Sequence, residues 1–337
     1  MQKSSSKKIS PRSTCAFVLA AFLFVLVQLT QAQQPTKVPR IGYLSVSSLS
    51  DMADRIDAFR DGLRELGYVE GKNIVIEWRY GQEKPDRVSE LAAELARLKV
   101  DVIVSGGNSA TQAVKKATNT IPILMTQSSD PVASGFVASL ARPGGNVTGL
   151  STLAPEISGK RLELLKEIVP KLSRVAVLGT STSPGNAQEL REVELAAGAL
   201  GVKLQYLDVL SPKDIETAFR AAAKGRADAV FMIMSGNVDF SQRKEIAELG
   251  VKSRLPVIYE GARSVEAGGL MSYGVNLLDL DRRAATYVDK ILKGAKPADL
   301  PVEQPKKFEF IINLKAAKQI GLTIPQSVLF RADKVIK

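Results

Sequence analysis

Histidine is absent from this 337-residue chain, and its one cysteine is Cys15. Without imidazole there is no Ser–His–Asp triad and no histidine general acid or base. A lone thiol so near the start leaves no disulfide framework, no cysteine nucleophile further along and no thiolate or imidazole zinc site. Walker A, G-x-G-x-x-G and G-x-S-x-G sequences are missing too. Ser241-Gln242-Arg243-Lys244 matches S-x-x-K, but its companions S-D-N and K-T-G are lacking, so it reads as the solvated face of a charged helix. Asp279-Leu280-Asp281 reads as a helix start with favourable dipole charges, not as a metal site. No metal, cofactor or enzymatic activity is expected. A secreted enzyme using Asp, Glu, Lys or Tyr is the rival that turnover of a bound ligand would support.

What is present begins with a leader. Lys3, Lys7, Lys8 and Arg12 precede an apolar run from Ala16 to Leu29, followed by Thr30-Gln31-Ala32. A basic start, a short greasy stretch and small residues at the −3 and −1 positions make residues 1–32 a secretory signal peptide. The run falls short of the roughly 20 apolar residues that span a bilayer; an uncleaved anchor is the alternative. Cys15 precedes the run, where a lipid-modified cysteine would follow it. Removing the leader's four basic residues lowers the net charge from +11 to +7. The remaining Lys and Arg are interspersed with acids, with no basic block, which argues against a nucleic-acid partner. Composition is globular, at 45% hydrophobic and 24% charged, and the length suits about two domains.

From Arg40 onward, β-branched runs alternate with amphipathic segments. Strands are expected at 41–46, 73–80, 101–104, 121–125 and 147–150, with helices at 52–66, 85–99, 109–117 and 131–140 between them. The rhythm restarts with helices at 158–168, 187–200, 213–223, 240–253 and 279–292. Strands at 174–178, 203–209, 229–234 and 256–259 accompany them, and 270–273 reads as the final strand. Repeated βα units of this length build parallel sheets covered by helices, here an α/β fold of two doubly wound lobes. One eight-stranded barrel is the structural rival, because alternation alone does not separate open from closed sheets.

Ligands of open parallel sheets sit beyond the C-terminal strand ends. The residues there are small and polar. In the first half they are Ser47, Ser48, Gly107, Asn108, Ser109, Gln127, Ser128 and Asp130. In the second they are Thr180, Ser181, Ser183, Ser235, Asn237 and Glu260. Helix capping explains any one such turn; two facing rows of donors would hold the carboxylate of a small ligand. Asp130 or Glu260 could meet an ammonium group, and Tyr259 or Tyr273 could supply an apolar wall.

The chain resembles the ABC-transporter substrate-binding proteins that include tryptophan- and tyrosine-type binding components. The resemblance lies in Ile121-Pro122-Ile123, Asp130-Pro131-Val132 and Ser139-Leu140-Ala141-Arg142-Pro143-Gly144-Gly145-Asn146-Val147-Thr148-Gly149-Leu150. Leu66–Asn73, Gly159–Leu165, Gly294–Glu303 and Ile312–Ala317 add to it, and it runs from about Arg40 to Ile336. It implies a type I periplasmic-binding-protein fold with a three-strand hinge near Ser151–Pro155, Gly274–Asn276 and Pro297–Pro305. Lobe 1 would be 33–150 plus 276–300, and lobe 2 151–275 plus 301–337. It further implies a monomeric periplasmic protein that captures a small carboxylate-bearing solute, aromatic amino acids first. The solute would pass to a membrane permease served by a separate ATPase subunit. A periplasmic sensor signalling to a membrane receptor is the alternative. One loop departs from the family: Gly179-Thr180-Ser181-Thr182-Ser183-Pro184 stands where many relatives carry a Tyr-Asn-Pro-like sequence.

Overall fold

Strand β1 (Arg40–Ser45) is almost wholly buried, as the middle of a parallel sheet requires. The structure, a computed structural model, describes residues 38–82, 84–233 and 237–337, without the side chains of 237–240. The expected leader therefore lies outside the described residues. With β2 (Val75–Tyr80), β3 (Val102–Gly106), β4 (Ile123–Ser128) and β5 (Val147–Ser151), β1 forms an all-parallel sheet ordered β2-β1-β3-β4-β5. Helices α1 (Leu49–Glu65), α2 (Pro85–Arg97) and α3 (Asn108–Ala117) supply the crossovers between its first four strands.

The second sheet contains β6 (Arg174–Gly179), β7 (Lys203–Asp208), β8 (Ala229–Met232), β9 (Val257–Tyr259) and β10 (Met271–Val275). Two further strands, β11 (Phe308–Asn313) and β12 (Lys334–Ile336), complete it. Its order is β12-β11-β10-β9-β8-β6-β7, with β11 antiparallel to β10. Read from β7, its first five strands repeat the order of the first sheet. Two separate open sheets exclude the single barrel. The helices between these strands are α4 (Ala154–Ile168), which precedes β6, then α5 (Asn186–Leu200), α6 (Asp214–Lys224), α7 (Asn237–Lys252) and α8 (Ala262–Glu266).

Alternation along the strands divides the apolar side chains between the two faces of each sheet. Tyr43, Val102 and Val104 pack on one face of the first sheet, Leu44 and Ile103 on the other. Val175, Val177 and Phe231 pack on one face of the second, Ala176, Leu178 and Val230 on the other.

The chain passes between the sheets three times. After Ser151, Leu153 takes a left-handed conformation (φ 55°) as the residue that starts α4. After β10, Asn276 caps α9 (Leu277–Leu292), its side chain accepting from the Asp279 N–H at 3.0 Å. Helix α9 then packs on α1 beside the first sheet, where a Cβ at Gly62 would lie 2.3 Å from the Arg282 carbonyl oxygen. The third passage follows a 3₁₀ turn (Pro297–Asp299): Glu303 lies beside Leu150 and the chain enters β11. The Asn276 amide donates to Glu309 at 2.8 Å, tying the second passage to the third.

Two expected elements are corrected. Residues 131–140 are turns, not a helix: Asp130 Oδ1 caps the N–H groups of Val132 and Ala133, but Gly135 goes left-handed (φ 69°) after one turn. The strand expected at 270–273 is not the last, because β11 pairs beside it and β12 beside β11. Strand β12 is three residues long, with Lys334 exposed and Val335 and Ile336 half-buried. Helices α10 (Leu314–Gln319) and α11 (Gln326–Leu329) fill the connection between them.

Candidate ligand-binding cleft

The C-terminal ends of both sheets' strands face a cavity of about 330 Å³, at the small end of the roughly 300–1,000 Å³ typical of ligand pockets. On the first-sheet side it is lined by Ser45 and Ser47 after β1, Gly107, Asn108 and Ser109 after β3, and Gln127 and Ser129 at the end of β4. Helix α3 starts here from Gly107 (φ 91°), and no side chain caps it. Its first-turn N–H groups are the unsatisfied donors that attract an anion. Helix α1 differs, because Ser48 Oγ accepts from the Asp51 N–H at 3.3 Å.

The second-sheet side contributes Ser183 after β6, and Glu260, Arg263 and Ser264 after β9. Thr152, Ile157, Val275, Leu277 and Leu278, on or beside the connections between the two sheets, also line it. With Val46, Met52 and Ile311 these form an aliphatic wall, and among the described residues no aromatic side chain lines the cavity.

Several contacts cross from one lobe to the other. Asn108 Nδ2 donates to Ser129 Oγ at 2.6 Å within the first lobe and to the Pro184 carbonyl at 2.7 Å in the second. Beside it Gly185 is left-handed (φ 89°), and a Cβ there would sit 2.5 Å from Ser129 Oγ. Arg263 Nη1 donates to the Asp51 carbonyl at 2.7 Å and Nε to Asp54 at 3.1 Å. Arg243 pairs with Asp51 at 3.3 Å.

Two buried ion clusters lie behind the walls. Arg55 and Asp281 join α1 to α9 through bonds of 2.6 and 3.0 Å, and burial still pushes the Asp281 carboxyl up against the pull of Arg55. Arg161 on α4 bonds Glu189 on α5 at 3.2 Å and lies 3.7 Å from Glu260. Burial, and then the Glu260 charge, holds the Glu189 carboxyl well above the usual range.

The structure brings Ser47, Gly107, Asn108, Ser109, Gln127, Ser183 and Glu260 together on this cavity. It places Ser48, Ser128, Asp130, Thr180, Ser181, Tyr259 and Tyr273 elsewhere. Ser48 caps α1, and Asp130 caps the turn after β4. Ser128 is fully buried, its carbonyl accepting from the Thr152 N–H at 2.8 Å. Thr180 Oγ1 donates to the Val209 carbonyl at 2.9 Å, and Ser181 Oγ to Asp208 at 2.5 Å, so both hydroxyls brace their own loop. Tyr259 is 1% exposed within the second core. Tyr273 stacks on Phe308 with centroids 5.8 Å apart. Ser235 lies outside the described residues; Asn237 begins α7, and its side chain is likewise outside them.

Sequence reasoning missed Met52, Asp54, Arg243, Arg263 and the Asn276–Leu278 corner. Of these, only the corner carried a local signal, a capping Asn before an apolar helix start.

Among the described residues no group of three or more His, Cys, Asp or Glu is set to hold a metal ion. No helix there is long and apolar enough to cross a membrane.

The chain has relatives among known proteins. The chain is 26% identical over 264 residues to a tyrosine-binding protein of Clostridioides difficile (strain R20291), covering 78% of this chain and 75% of that one. A Streptococcus pneumoniae ABC domain solved in complex with L-Trp is 28% identical, with a TM-score of 0.83 over 88% of this chain and 99% of its own. The ligand-free, open structure of CD0873, a Clostridium difficile substrate-binding protein with adhesive properties, is 25% identical. It scores 0.64 over 89% of this chain and 99% of its own. The fold is that of type I periplasmic binding proteins. Substrate-binding proteins of ABC transporters are extracytoplasmic and are not enzymes. The family model described as ABC transporter substrate binding protein matches residues 43–336, and this chain belongs to that family.

Proposed function

We propose that this protein is the periplasmic solute-binding component of an ABC importer. It captures a small carboxylate-bearing solute, an aromatic amino acid foremost, between its lobes and delivers it to a membrane permease. The observation that carries this reading is the polarity of the cavity. Uncapped N–H groups of α3 lie on one side and the Glu260 carboxyl on the other. That is the charge pattern of an amino-acid zwitterion, with its carboxylate at the helix start. The side chain would lie against Met52, Ile157 and Leu277, where a thioether suits an aromatic ring as well as an aliphatic chain.

Closure is part of the same reading. The TM-score is 0.83 to the L-Trp complex and 0.64 to the open, ligand-free relative at similar identity. A rotation of one lobe against the other accounts for such a gap. With the contacts of Asn108 and Arg263 across the cleft, it supports a closed form here. Ligand bridging both lobes stabilises that form. The test is a thermal-shift and calorimetric screen of refolded, ligand-stripped protein against L-tyrosine, L-tryptophan and other amino acids. A ligand at 100 times its Kd adds about 2.7 kcal/mol of stability. A saturable shift with an aromatic amino acid is the expected result, and a flat response from folded protein rejects that cargo.

A further inference from the structure

The cluster behind the cleft is one positive charge short. Arg161 is fully enclosed, Glu189 is 1% exposed, and Glu260 is 29% exposed where it lines the cavity. Arg161 gives one guanidinium to two carboxyl groups, and the Glu260 charge pushes the Glu189 carboxyl up further. Its other contacts are neutral: the Met232 carbonyl and the face of Phe231, 4.4 Å away. Its Nε has no partner, nor does Glu260 Oε1 accept a hydrogen bond. Ser158 on α4 donates to Glu189 at 3.4 Å and adds no charge.

The remaining charged groups of the cavity are largely committed to one another. Arg263 pairs with Asp54, Arg55 with Asp281, Arg243 with Asp51 and Lys334 with Glu266, while Glu309 accepts from Asn276. None of them neutralises the second carboxylate of the Glu189–Glu260 pair. Two carboxylates that share one enclosed guanidinium, one of them enclosed with it, do not both ionise without a second cation.

Resting on the amino-acid reading above, we propose that Glu189 and Glu260 share one proton in the empty cleft, and that a ligand ammonium group docks on Glu260 and displaces it. The charge count is neutral in both states. Empty, the cluster holds one guanidinium, one carboxylate and one carboxylic acid; filled, it holds one guanidinium, one ammonium and two carboxylates. The proton leaves to solvent through the cavity. Glu189 is enclosed while Glu260 reaches the cavity, so burial favours the neutral form more strongly at Glu189, which is the acid of the empty pair. Glu260 selects for an ammonium-bearing ligand, and Glu189 is a positioning residue acting through it.

The test is calorimetry with L-tyrosine and L-tryptophan in buffers of different ionisation enthalpy, alongside their deaminated acids, 3-(4-hydroxyphenyl)propanoate and 3-indolepropanoate. Binding of the amino acid should release about one proton and tighten as pH rises through the pair's titration. The deaminated acids should bind about 30-fold more weakly or worse. Glu189→Gln should bind without proton release. Amino-acid binding with no proton released, or deaminated acids binding equally well, overturns the proposal and leaves the importer reading standing. If no probe binds, the aromatic cargo fails instead, and the ligand-free protein decides this proposal by carbon-13 NMR of its glutamate carboxyls. A glutamate titrating above the ordinary range in the wild type but not in Glu189→Gln upholds it; ordinary titration of every glutamate overturns it.

Discussion

Gly185 shows how much one missing side chain contributes. Its left-handed backbone costs about 1–2 kcal/mol with any other L residue, and a Cβ would press on Ser129 Oγ across the cleft. Gly185→Ala should lower stability by about that amount in urea unfolding. It should also raise the ligand Kd, because the clash with Ser129 exists only when the lobes meet. Asp281→Ala acts by a different route, leaving the buried Arg55 guanidinium without its carboxylate. Loss of about 3–5 kcal/mol in the same assay is expected. At this scale the sequence was only half legible. It marks polar residues after strands, yet it does not say which way a hydroxyl turns. Ser183 reaches the cavity, while Thr180 and Ser181, in the same loop, bond to Val209 and Asp208. Tyr259 misleads for a related reason: in a strand buried on both faces, the tyrosine at its end points into the core.

Among the elements, α8 matters most to the proposed closure. It is only five residues long, but it carries Arg263 to the start of α1, where Asp51 and Asp54 receive it. Partly exposed ion pairs contribute up to about 1 kcal/mol each. Arg263→Ala should therefore weaken ligand binding by up to about fivefold at low salt. That difference should shrink towards 1 M salt, where screening already removes the pair. Calorimetry of both proteins across a salt series checks it. Long apolar strands and periodic helices were readable because burial on both sheet faces, or one face of a helix, leaves a repeating pattern. Segment 131–140 was not, since its apolar Phe136 and Val137 are buried from an irregular turn that Gly135 breaks. Strand β12 was not either: it exists because β11 offers it an edge, which is a property of the assembled sheet.

For the whole molecule, pH couples to stability through the carboxyls behind the cleft. Glu189 titrates well above its ordinary value when folded. The folded chain therefore binds more protons than the unfolded one above the usual glutamate range, near pH ~4.3. Its contribution to stability is present in acid and is lost as pH rises through the folded titration. Unfolding of the ligand-free protein should show this as a decline toward neutral pH that Glu189→Gln flattens, read as the difference between the two profiles. On the proposed closure, ligand should reduce the radius of gyration in solution scattering, with the filled form matching this structure and the empty form wider.

The ties between Arg263, Arg243 and the start of α1 engage protein groups on both ends. On the proposed importer reading they form after a solute has entered and break before it leaves. On that reading they lengthen the time a bound solute stays. A permease that pulled Arg263 from Asp54 would then shorten that time.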